Sequence, residues 1–381
     1  MKQLNYFITS VFAIALLLFA SCTPTSRNLE VHYLKEGKLC SENISLDFID
    51  KDGKIRSPYI DTVKFSYLDS LTYPDMNPDH DKRYTTPGVL DFSKQIKPYS
   101  PEYYCAYSVY NIIKVIEYYN RLFDNKIDFN SQKDYKTIEV IFGDIPLLTQ
   151  PNSYIFEKNS NPSPAVFAHE IGHRAFWYIE DSLGIKFKGL SVVHMGLLEY
   201  FTVSFNNSPI VGEDFMPAKI NRNAEQLYKC PIDSSFLIRN TLRLFEESYP
   251  AEIRNPQSNI SKYLAACYSS YDNYVLDSIP DNHRGGMVLT STLWRIREQI
   301  GQEKTDKLVA QTILNLNTYL DKRDEFYQSP ETPWKDKIGW YDVFYGLIQK
   351  DKELFEGKDT QIITNEFART GYPTDIVKPK I

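Results

Sequence analysis

An excess of basic charge is missing from this sequence, and closely spaced cysteines, histidines and long apolar runs are scarce. Its 381 residues hold 43 Lys and Arg against 49 Asp and Glu, a formal net charge of −6. That balance offers no basic stripe for a phosphate backbone, which argues against nucleic acid as a partner. Cys40, Cys105, Cys230 and Cys267 show no paired close spacing, which argues against a cysteine-built metal site. No internal repeat and no long low-complexity linker interrupts the chain. Histidines number only six, yet His169, His173, His194 and His283 all fall in candidate site segments. Apolar residues at 42% and charged residues at 24% are ordinary for a globular protein. The 28 Tyr and 22 Phe are not, and either a wet contact surface or a tyrosine-rich core accounts for them. The length is comfortable for two domains.

The one apolar run, Val11 to Ala20, is short for a membrane span. It follows Lys2 and precedes Phe19-Ala20-Ser21-Cys22, small residues directly before a cysteine. This looks like a bacterial lipoprotein signal peptide over residues 1–21, cut so that Cys22 carries the lipid. Phe19 departs from the usual Leu. Residues 22–28, with Thr23-Pro24-Thr25-Ser26, then read as a polar tether. The expected location is the cell envelope, lipid-anchored and facing away from the cytoplasm. There the remaining four cysteines either pair, in one of three ways, or stay as buried thiols.

The expected fold class is α+β, strands first and helices later. Residues 29–99 read as strand-rich, with Ile44 to Ile49 running into a turn at Asp52-Gly53 and a loop from Asp75 to Lys97. Residues 100–381 read as the main domain, a sheet part to about 160 and a helical part from about 161. Pro101 to Phe123 has a broad apolar face at helical spacing. Lys136 to Phe142 and Asn152 to Glu157 read as strands, and from about Glu180 the chain is mostly helical.

Ser163-Pro164 starts a helix well, since Ser caps free backbone donors and Pro suits the first position. That helix carries His169-Glu170-Ile171-Gly172-His173. Histidines four apart are ~40° apart around a helix and ~6 Å along it, so both can reach one Zn2+ ion. Glu170 lies off that line, where it can take the proton of a zinc-bound water. Gly172 keeps the helix slim where a substrate strand could approach. Tetrahedral zinc needs a third protein ligand. His194 and Glu199 are about 140° apart on the next helix, so only one of them can face the ion. Glu199 is the first choice on chemistry and His194 the second. Glu180 is ~10 Å too far along the axis to share the metal.

These segments resemble the gluzincin metallopeptidases, the thermolysin-like and fungalysin-like group. The likeness rests on the Tyr103–Tyr110 helix, the zinc motif, Gly196-Leu197-Leu198-Glu199-Tyr200-Phe201, and Asp281-Asn282-His283-Arg284-Gly285-Gly286 running on to Leu293-Trp294-Arg295. It spans about residues 100–305, with Phe367 to Tyr372 fitting a closing segment. The resemblance implies a zincin-like fold and zinc-dependent hydrolysis of a peptide or protein substrate. His169, His173 and Glu199 would hold Zn2+, Glu170 would activate water, and His283 would stabilise the oxyanion, with Tyr200 a weaker candidate for that task. The Gly285-Gly286 pair would allow close backbone approach beside His283. Substrate would lie between the sheet, near Ile138 to Phe142 and Ser153 to Phe156, and the helical half. The likeness also exposes departures. Met195 stands in the family's zinc-binding Glu slot, and Glu199 matches an acid that normally supports the first histidine. Gly285 and Arg295 also differ from the fungalysin-like block. Two other readings therefore stay open: a degenerate, non-catalytic gluzincin that binds peptide or protein at the envelope, and a structural lipoprotein with an accidental motif.

Overall fold

The computed structural model describes residues 28–72, 82–143, 148–150, 152–157, 159–184, 186–187, 192–211, 222–228, 275–276, 279–280, 282–317, 337–338, 340–372 and 374. The expected signal segment, the expected tether up to residue 27, and Cys230 and Cys267 lie outside them, whereas Asn28, expected to end the tether, opens the first strand.

The chain opens with a hairpin of β1 (Asn28–Lys35) and β2 (Lys38–Ser45). Glu36 and Gly37, both at positive φ (54° and 70°), close it, the twist that two-residue hairpin turns require. β2 ends at Ser45, short of the expected strand. The expected turn is present: Gly53 N–H donates to the Asp50 carbonyl at 3.0 Å, and Ile49 bridges Ile55.

The principal sheet holds β3 (Thr62–Thr72), β4 (Lys82–Pro87), β5 (Thr137–Gly143), β6 (Leu148–Gln150) and β7 (Ser153–Glu157), ordered β4-β3-β5-β7-β6. The pairs β3–β5 and β5–β7 are parallel, while the two edge strands run antiparallel to their neighbours. β5 and β7 match the expected strands to within a residue. β4 does not match, because it occupies part of the stretch expected as loop. The Asp, Asn and Pro of that stretch flank a Tyr84-Thr85-Thr86 run whose residues favour strand, and β3 offers it an open edge. The sheet also draws strands from both sides of residue 99.

Helix α1 (Pro101–Leu122) begins as its sequence dictates: the Ser100 side chain accepts from Tyr103 N–H at 3.2 Å, and Pro101 opens the first turn. Its tyrosines settle the aromatic question, for Tyr103, Tyr104, Tyr107, Tyr118 and Tyr119 are all buried. Buried phenols need partners, and here the partners matter. Tyr104 and Tyr107 donate to the carbonyls of Ser160 (2.7 Å) and Pro162 (2.9 Å), while Tyr103 accepts from His32 N–H at 2.7 Å. One helix thus pins the hairpin and the loop that leads into the next helix, α2 (Pro164–Leu183).

The C-terminal half supplies α3 (Val192–Asn206), α4 (Asn282–Ile300), α5 (Gln302–Leu314), α6 (Trp340–Phe355) and α7 (Thr360–Arg369). Sheets in the N-terminal half and helices mostly in the C-terminal half make the molecule α+β, as expected. Among the described residues the main apolar core draws on side chains from Leu29 to Tyr372, and a smaller cluster gathers Val203, Val211, Ala224, Met287 and Trp294. Cys40 and Cys105 are free thiols, Cys105 fully buried. Among the described residues no helix is long and apolar enough to cross a membrane.

Candidate metal centre

α2 starts on Ser163, whose side chain accepts from Ala165 N–H at 3.2 Å, and ends on Gly184 in the left-handed region (φ 63°). His169 and His173 sit one turn apart within it, ring centroids 4.9 Å apart and nearly perpendicular. α3 packs antiparallel across the helix, bringing its His194 to His173 and its Glu199 to His169.

Each imidazole is engaged at Nδ1. The Glu199 carboxylate lies 3.5 Å from Nδ1 of His169. His173 Nδ1 lies 3.1 Å from His194 Nε2, and His194 Nδ1 lies 3.1 Å from the Glu180 carboxylate. A carboxylate can only accept, so His194 carries its proton on Nδ1 and accepts through Nε2. His173 then donates from Nδ1, which puts its lone pair on Nε2. His169 turns the same nitrogen, Nδ1, toward Glu199. The His194 ring lies edge to edge with that of His173, planes 24° apart, and the Trp177 ring stands 5.4 Å away at 23° to it. Metal-binding histidines are oriented by such partners at the other ring nitrogen. Glu170 is buried on the same helix, only 7% exposed.

The third ligand is another matter. Glu199 is fully buried, and its second oxygen is gripped by the Arg222 guanidinium. Arg222 comes from a two-residue strand, Arg222–Asn223, paired with Ile210–Val211 just beyond α3. Nothing in the sequence marked it except the need of a buried carboxylate for a cation. Met195 is 2% exposed and faces α4. Two imidazoles of the motif thus stand side by side on α2. Among the described residues, however, no group of three His, Cys, Asp or Glu side chains converges to hold one.

His283 lies in the first turn of α4 rather than in a loop, with its side chain outside the described residues. Tyr200 turns away from the histidines and donates to Asp306 at 2.7 Å, so it packs α3 against α5. Gly172 faces the core, not substrate: a Cβ there would lie 2.6 Å from the Tyr119 hydroxyl and 3.2 Å from Leu198. Gly286 likewise serves a helix crossing, its Cβ position lying 2.8 Å from the Gly196 nitrogen. In the sheet, β5 and β7 each have neighbours on both sides, so the open edge on the α2 side is β6.

Charge around α2 is unevenly matched. Burial pushes the Tyr154 phenol far up, helped by the Glu170 charge and opposed by that of Arg174. Burial also lowers Arg174 to about 10. No family model matches the chain, and no curated protein matches it.

Proposed function

We propose that the protein is a zinc-dependent peptidase of the bacterial envelope, anchored through lipid on Cys22 and built on a gluzincin-like scaffold. The observation that carries the reading is the pair of Nδ1 engagements, to Glu199 and to the His194–Glu180 relay. A histidine oriented through Nδ1 in this way takes a zinc ion through Nε2. His169 and His173 would hold Zn2+, and Glu199 would join them only on leaving Arg222. Zinc held there would supply a water of near-neutral pKa and a Lewis acid for the scissile carbonyl. Glu170 is the general base that receives and passes on the proton. His283 is the candidate donor to the oxyanion. An extended peptide would pair with β6, the sheet edge beside α2.

A second reading, a non-catalytic gluzincin that binds peptide or protein, is favoured by the Arg222 grip on Glu199 and the buried Met195. Hydrolysis of unfolded casein by zinc-loaded protein decides between them. The peptidase reading expects turnover in the wild type and a loss on the order of 10²–10⁴ in Glu170→Gln. Equal behaviour of the two proteins would leave only the binding reading.

A further inference from the structure

Arg174, the residue after His173, is the largest fully buried side chain among the described residues. Its Nε donates to the Gln132 side chain at 3.2 Å, and the Gln132 amide donates back to the Arg174 carbonyl at 3.1 Å. The guanidinium carbon stands 4.8 Å from the ring centre of Tyr135 and 5.6 Å from that of Phe129. Those rings offer the cation favourable contact, but they leave its in-plane N–H groups unanswered. Among the described residues neither Nη1 nor Nη2 has a hydrogen-bond partner, and no carboxylate pairs with the side chain. The hydroxyl of Tyr154, also fully buried and within electrostatic reach of Arg174, has no partner either.

A buried charge without a counter-charge is strongly destabilising, and unanswered buried donors add to that cost. Two unanswered donor nitrogens on a buried cation, with a buried phenol packed on Phe167 two turns back along the same helix face, are the chemistry of an anion receptor. We propose that Arg174 and Tyr154 form an internal site for a small monovalent anion of halide size, taken in the plane of the guanidinium. Full burial excludes a peptide carboxylate or a phosphate ester. The inference does not depend on zinc, since every group it uses lies outside the ligand set.

The test compares melting temperatures of the full mature chain in sodium chloride and sodium gluconate at equal ionic strength. Gluconate is too large to enter. At chloride well above its dissociation constant the wild type should melt roughly 2 °C or more higher. Tyr154→Phe and Arg174→Gln should each shrink or abolish that difference. Crystals grown in bromide should show an anomalous peak within hydrogen-bond reach of the Arg174 Nη atoms. If Arg174→Gln fails to fold, Tyr154→Phe and the bromide peak still decide. The proposal is overturned by equal melting in the two salts, by a difference that persists in Tyr154→Phe, or by electron density for water alone.

Discussion

Helical geometry removes Glu180 from any metal held by His169 and His173, and the structure gives that carboxylate a different role. It holds His194, and His194 holds His173. Breaking such support typically weakens a metal site by 10–100-fold. Glu180→Gln and His194→Ala should therefore each lower zinc affinity by roughly that factor, measured by competition with a chromophoric chelator. Unchanged affinity in both would mean that the relay serves packing alone. At this scale the sequence was legible where local geometry decides, because residues four apart on a helix share a face. Arg222 and Tyr154 were not legible, since what makes them matter is burial beside residues far away in the chain.

Between elements, glycine marks where helices touch. Gly172 meets Tyr119 and Leu198, and Gly196 meets the backbone at Gly286. An added methyl at Gly172 should cost about 1–3 kcal/mol, read as a fall in denaturant midpoint without a change in slope. Gly184→Ala makes a useful control, since no atom lies within 4 Å of its Cβ position and its penalty comes from its positive φ alone. A second joint is polar: Tyr118 of α1, and Tyr200 and Ser204 of α3, all donate to Asp306 of α5 at 2.7–3.1 Å. Burial raises the Asp306 carboxyl above its usual 3.8, against those hydrogen bonds. A raised folded pKa means that the folded chain holds the proton more tightly than the unfolded one. That contribution is complete below 3.8 and fades as pH rises through the folded value. Asp306→Asn should flatten this part of the stability–pH curve, measured by urea midpoints from pH 4 to 7. An undiminished slope would place its origin elsewhere. The strands and α1 could be read from their apolar periods and caps, whereas β4 could not, because its pairing depends on the open edge of β3. The glycines were misjudged for the same reason: spacing tells that a helix is slim, not what lies against it.

At the scale of the molecule, the sheet and the pinned Ser160–Pro162 loop deliver α2 to its place, and α3 closes over it from the helical half. The expected lipid anchor would hold this assembly at the envelope. Cys22→Ser should move the protein from the membrane fraction to the soluble fraction after cell lysis, while a continued membrane association would remove the anchor from the account. Its central claim is that the His169–His173 helix is a zinc helix. The most direct test is the metal content of protein stripped with chelator, reloaded with zinc and freed of excess. The account predicts one zinc per chain in the wild type, and none in the His169→Ala/His173→Ala variant at unchanged fold by circular dichroism. A wild type that retains no zinc, or a double variant that retains it in full, would contradict the claim.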